Sequence, residues 1–146
     1  MNLYRIQEEA VAFKHLRSFL DTEHGKIHDR MMKMEQSLRK KYLSLKQLES
    51  KRDPKALALK KELDDAAIKI EHSIQDAKEK LHQKLAKKRD TLQTRLDKTI
   101  NDIASQHAFD LILNTNLNSE NNIVLFAKQT MNITDEVIIR LNNYED

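Results

Sequence analysis

Asp21, His24 and His28 are metal-ligating residue types at i, i+3 and i+7, which puts all three on one face of a helix. A metal centre needs further ligands to close its shell, and no second cluster of such residues occurs elsewhere, so no metal site is expected. The six histidines show no pairing with a serine and an acid, which removes the basis for a catalytic triad. Cysteine is absent, so there is no thiolate ligand, no thiol nucleophile and no disulfide framework. A single glycine leaves nothing from which to build a phosphate-cradling loop. The chain reads as a non-enzyme with no cofactor and no small-molecule substrate.

Charge is the chemistry that remains. From residue 30 to residue 98 there are 20 Lys and Arg against 11 Asp and Glu, while the rest of the chain carries 6 against 12. A basic middle and an acidic remainder suggest two surfaces with different partners. Lys84, Lys87, Lys88 and Arg89 form the densest basic cluster. It reads either as a solvated helix face or as an anion-binding patch for acidic partners, anionic lipid or nucleic acid. Tyr42 is the only aromatic residue in that basic region, which weighs against base stacking on single strands.

Long helices must carry these residues. One Gly and one Pro allow few turns, and 34% charged residues with only 5% aromatics point to extended helices around a thin core. From about Ile6 to Ser50, apolar residues fall at Leu16, Leu20, Ile27, Met31, Leu38 and Tyr42. From Pro54 to about Gln106 they fall at Leu59, Leu63, Ile70, Ile74, Leu81, Leu85, Leu92, Leu96 and Ile103. Both series alternate steps of 4 and 7, an 11-residue repeat that winds straight or slightly right-handed. Two stretches with one repeat and a short break should pack as an antiparallel hairpin, with its tip at Lys51-Arg52-Asp53-Pro54. Ala66 and Ala77 fill a third seam position with small residues; Lys88 falls at the same phase and should loosen the seam there. Gly25, inside the first helix, is either a tolerated defect or a pivot.

Met32 and Leu43 on the first helix, and Leu57 and Ile68 on the second, stand well off these stripes. They are either scattered surface residues or a sparse apolar lining set among Lys and Arg.

After Gln106 the period changes. Phe109–Leu113 and Ile123–Ala127 are short apolar runs bounded by Asn, Ser and Thr, and read as strands. A last helix opens near Thr134, the expected N-cap, with Asp135 and Glu136 in its first turn and Val137, Ile138 and Leu141 as its apolar side. Two strands and a two-helix arm cannot enclose a core alone, so copies of the chain should associate.

The segments His107-Ala108-Phe109-Asp110-Leu111-Ile112-Leu113, Val124-Leu125-Phe126-Ala127 and Asn132-Ile133-Thr134-Asp135-Glu136-Val137 resemble the Skp (OmpH-like) family of periplasmic chaperones. A weaker echo lies at Ile6–Lys14, where that family leaves its first strand for the long helix. The family pattern has Gly where Ala108 stands and Asp where Asn132 stands, departures that read as conservative. The specific part of the likeness covers the last 40 or so residues and about ten near the start; the helical middle matches in type only.

The resemblance implies a mainly α fold with a small β part: a long antiparallel helical hairpin, or coiled-coil arm, on a β-containing trimerisation body. Residues 1–24 and 104–146 would form the body and 25–103 the arm, with Leu111, Leu113, Val124 and Phe126 at or near subunit contacts. Three arms would enclose a cavity that holds unfolded outer-membrane proteins without ATP, and Met32, Leu43, Leu57 and Ile68 are the residues expected to touch the client. The basic cluster would meet anionic lipid or lipopolysaccharide. Only Met1-Asn2-Leu3-Tyr4 stands where the family carries a signal peptide and an apolar strand, so the start is taken as truncated and the periplasm as the compartment. The competing readings are a structural coiled-coil tether and a basic nucleic-acid-binding protein.

Overall fold

The computed structural model describes residues 1–50, 54–115 and 127–144. Four α-helices account for most of them: α1 (Leu3–Glu9), α2 (Val11–Ser50), α3 (Lys55–His107) and α4 (Thr134–Asn142), with a 3₁₀ turn at Gln129–Met131 before α4. By its contacts the chain divides into two units, an arm unit of residues 20–85 and a body unit of residues 1–19 with 86–146.

In the arm unit α2 and α3 form the expected hairpin. Its antiparallel register is fixed by Lys41 and Glu62, whose side chains come within 4.0 Å, and by Leu38, Tyr42 and Leu45, which share a groove with Lys60, Leu63 and Ala67. Residues whose numbers add to about 104 therefore lie at one level. On α3 the 11-residue repeat holds: Leu59, Leu63, Ala66, Ile70, Ile74, Ala77, Leu81 and Leu85 are all turned in, and Lys88 is exposed. The outer half of α2 departs from it. Ile27, Met31, Met34, Leu38, Leu45 and Leu48 line its seam, while Tyr42, expected there, is half exposed. Steps of 3, 4 and 7 average 3.5 residues per turn, so the stripe on this half is heptad-like. The swap is favourable because burying Leu45 contributes about 2 kcal/mol, whereas a Tyr there would need a partner for its hydroxyl. The Tyr42 ring lies outside, with Lys46 Nζ 5.3 Å from its centre. The expected tip residues Lys51, Arg52 and Asp53 lie outside the described residues, and Pro54 immediately precedes the first turn of α3.

The body unit gathers Ile6, Ala10, Leu96, Ile103, Ile133, Val137, Ile138 and Leu141 into one small core, with α1 packed on α4. The first helix, expected to run unbroken from about Ile6, is interrupted at Ala10, whose backbone is extended (φ −66°, ψ 134°). Two features hold the break. Ala10 is fully buried and packs in the small core. The first N–H of α2, on Val11, is met by the Asn142 side chain at 2.8 Å. Leu3 and Tyr4, read from the sequence as the remnant of a strand, are in α1. That helix is capped by Asn2, whose side chain accepts from the Arg5 N–H at 3.0 Å.

Thr134 is the first residue of α4 and not its N-cap. Its hydroxyl, fully buried, donates to Asn132 Oδ1 at 2.6 Å and accepts the Asn2 N–H at 2.8 Å. The N-cap position is Ile133, which offers no side-chain bond; one residue before it, Asn132 Oδ1 accepts the Thr134 N–H at 3.1 Å. An Asp there would offer the same oxygen, so this departure from the family pattern is indeed conservative. The departure at Ala108 is not. α3 ends with Ala108 at φ +50°, in the left-handed region, and the Phe109 N–H bonds back to Ala104 O at 2.9 Å. This is a Schellman end, whose left-handed position suits glycine.

Phe109–Leu113, expected as a strand, belongs to no strand or sheet among the described residues and bends at Asp110. Just beyond it, the Met1 amino group donates to Leu113 O at 3.1 Å and the Thr115 N–H to Met1 O at 2.6 Å, the alternation a parallel β pair uses, over one residue. Of the second expected strand, Ile123 to Phe126 lie outside the described residues.

Candidate functional site

Three surfaces carry the residues singled out from the sequence. The first is in the body unit. Leu111 is 72% exposed, Met131 68%, Leu113 46% and Phe109 41%, around a groove of about 260 Å³ whose floor includes Ile112 and Ile133. Leu111 and Leu113, expected at subunit contacts, thus stand exposed, and beside them is Met131, a lone residue in an irregular segment with no periodicity to single it out. Val124 and Phe126, assigned the same role, lie outside the described residues.

The second surface is on the arm. Met32 (42% exposed), Leu43 (54%), Leu57 (78%) and Ile68 (54%) all stand in solvent. At 100° per residue each lies roughly 140–160° from the centre of its own seam. The two pairs are therefore not brought together within one chain. Met32 and Leu43 are on the back of α2, Leu57 and Ile68 on the back of α3, along opposite edges of a two-helix ribbon.

The third is the basic cluster on α3, whose four side chains are exposed. In the arm unit, Lys84 helps hold the Glu23 carboxyl below its usual range, after the larger effect of the hydrogen bond from Lys26 at 2.5 Å. In the body unit, Lys88 Nζ lies 4.8 Å over the Phe19 ring, leaving Lys87 and Arg89 as the less engaged cations.

Asp21, His24 and His28 are exposed on α2, and among the described residues no three carboxylate or imidazole groups converge as metal ligands. An ion-paired cluster does occur where α3 meets α4 in the body unit. Glu136 contacts Arg140 and, at 3.2 Å, His107 Nε2; Arg140 also reaches Gln106 Oε1 at 2.5 Å. Partial desolvation pushes the Glu136 carboxyl up, but the hydrogen bonds from His107 and Arg140 prevail and its pKa is lowered from 4.5. The His107 ring also stacks on Phe109 at 5.2 Å, so this cluster fixes the direction in which the chain leaves α3.

No helix among the described residues is long and apolar enough to cross a membrane. No curated protein matches the chain significantly. A family model described as outer membrane protein (OmpH-like) matches residues 1–141, almost the whole chain, and the protein therefore belongs to the OmpH-like family.

Proposed function

We propose that the protein is an ATP-independent holdase of the periplasm that works as a homotrimer, taking up unfolded outer-membrane proteins between its arms and preventing their aggregation. Support for self-association comes from the body unit: Leu111, Leu113, Phe109 and Met131 are exposed apolar residues around one groove among the described residues. Such a patch is stabilised by covering it, and a closed cyclic oligomer covers it in every copy at once. The OmpH-like family supports the class of client and the compartment. The β-containing body belongs to this reading too, with the 109–113 segments of three chains supplying one another's strand partners. So do the domain limits of 1–24 with 104–146 and 25–103 for body and arm, and Val124 and Phe126 as further subunit contacts.

The holding surface is the exposed apolar set Met32, Leu43, Leu57 and Ile68, dispersed among Lys and Arg. Isolated apolar contacts are individually weak, which suits a protein that must bind many sequences and release them without nucleotide. Because the two pairs lie on opposite edges, a client segment touching all four must lie between the α2 edge of one arm and the α3 edge of the next. Lys84, Lys87, Lys88 and Arg89 form the patch for anionic lipid or lipopolysaccharide. Two measurements test this. Leu111→Asp places an unpaired charge in the subunit contact and should sediment as monomer; an intact trimer would remove the body surface from the assembly. The variant with Ser at positions 32, 43, 57 and 68 should keep its helicity and lose most of its capacity to suppress aggregation of an unfolded β-barrel protein. Undiminished capacity in that folded variant would exclude these residues as the holding surface.

A further inference from the structure

Within the body unit, α2 and α3 leave a cleft of about 380 Å³ between them. Half-buried Ala12, Leu16 and Leu92 give it hydrocarbon, and His15, Lys88, Thr91 and Arg95 give it polar groups. No carboxylate among the described residues lines it, so its charge is positive and unbalanced. Lys88 is the member of the α3 basic cluster that reaches it. Two of these cations are held in place by aromatic faces. Lys88 Nζ stands 4.8 Å over the Phe19 ring, and Arg95 Cζ 5.5 Å over the Tyr144 ring. Long cationic side chains positioned in this way lose less freedom when they take a ligand. The Thr91 hydroxyl donates to the Lys87 carbonyl at 3.0 Å, so the imidazole, ammonium and guanidinium N–H groups are the donors that face an anion.

We propose that this cleft takes a side-chain carboxylate of an unfolded chain, with an apolar side chain of the same segment against Leu16 and Leu92. The proposal rests on the holding reading above and adds to it a charged contact in the body unit. Charge complementarity points to an anion, and the planar fork of Arg95 matches a carboxylate with two parallel hydrogen bonds. An extended segment supplies both groups at once, because side chains i and i+2 lie on one side, about 6–7 Å apart. An anionic lipid fits less well. An acyl chain is held by burying methylene after methylene, and three short apolar side chains cover few. A membrane surface is met by cations spread over a face, whereas these converge in a cleft.

The test is solution NMR on the full-length protein, reading the methyl signals of Leu16 and Leu92. The probe is the acetylated and amidated peptide Leu-Ser-Glu-Ser-Leu. It should shift both signals saturably, and its glutamine counterpart should bind roughly two- to fivefold more weakly, as expected for an exposed charged contact. Thr91→Glu, at an exposed helical position, brings a carboxylate to the cleft and should abolish the response with helicity unchanged. Equal binding of the two peptides, or an undiminished response in the folded Thr91→Glu variant, overturns the carboxylate site. So does a stronger response of the same methyls to inorganic phosphate or to phosphatidylglycerol vesicles, which would make the occupant a free anion or a lipid. Suppression of aggregation of an unfolded β-barrel protein by the parent separates the two ideas. A parent that suppresses aggregation while its methyls stay silent to the peptide overturns the cleft alone. A parent that does not suppress it overturns the holding reading and the cleft's client with it.

Discussion

Replacing Ala108 with Gly should make the protein more stable, and the size of the gain follows from the backbone at the end of α3. Ala108 sits at φ +50°, where a side chain's Cβ crowds the carbonyl that follows. For an L-residue this costs about 1–2 kcal/mol, a cost glycine does not carry. Glycine in turn loses more freedom on folding, which takes back roughly 0.5–1 kcal/mol. The Ala108 side chain is exposed, so removing its methyl forfeits no burial. The net gain is about 0.5–1 kcal/mol, and for a chain of this size about 2–4 °C of Tm accompanies each kcal/mol. Thermal unfolding followed by circular dichroism, at one fixed protein concentration so that association does not confound it, should show Ala108→Gly melting roughly 1–4 °C higher. Ala108→Val should melt lower than the parent, since a β-branched residue tolerates this conformation least. A lower Tm for the glycine variant, or an unchanged one for the valine variant, would refute the left-handed helix end.

Gly25→Ala should also stabilise, by about 0.5–1 kcal/mol, because a methyl there meets no atom within 4 Å and the helix runs through it; denaturant titration reads this directly, and a loss of stability would revive Gly25 as a pivot. Asn142→Ala should cost about 1 kcal/mol in the same titration, since it strands the Val11 N–H at the start of α2; a neutral result would mean that water caps that helix equally well. Glu136→Gln should destabilise at neutral pH and become neutral in acid. The carboxyl's folded pKa is lowered from 4.5, so its stabilisation is complete above 4.5 and lost as pH falls through the folded value. Equal destabilisation at pH 7 and well below 4 would show that the His107 and Arg140 contacts do not depend on its charge.

The long hairpin was legible because α3 repeats its apolar residues without ambiguity, down to the small Ala66 and Ala77. α2 was less so: Leu38, Tyr42, Leu45 and Leu48 satisfy either an 11-residue or a 7-residue reading, and only packing against α3 selects Leu45. The break at Ala10 carries no local signal, since its cause is a side chain on α4, 132 residues later. Thr134 was mistaken for a cap because its hydroxyl is turned instead to Asn2 and Asn132, and the helix begins one residue earlier than a threonine cap would place it. Ala108 hid a left-handed turn because that turn usually announces itself through glycine. Met32, Leu43, Leu57 and Ile68, the residues proposed to hold a client, were legible as exposed, but their separation onto two edges needed both helices and their register.

The links between the two ends of the sequence bear on how the protein comes into being. Asn2 N–H to Thr134, Leu3 N–H to Asn114 and Val11 N–H to Asn142 each join partners more than 100 residues apart. The hairpin closes through neighbours across a short turn and can form while the chain is still being made; the body has to wait for α4 to emerge. Until then Ile6 and Ile103, buried in the finished core, have no α4 to cover them. The hairpin is thus in place before the small core that joins α1 to α4.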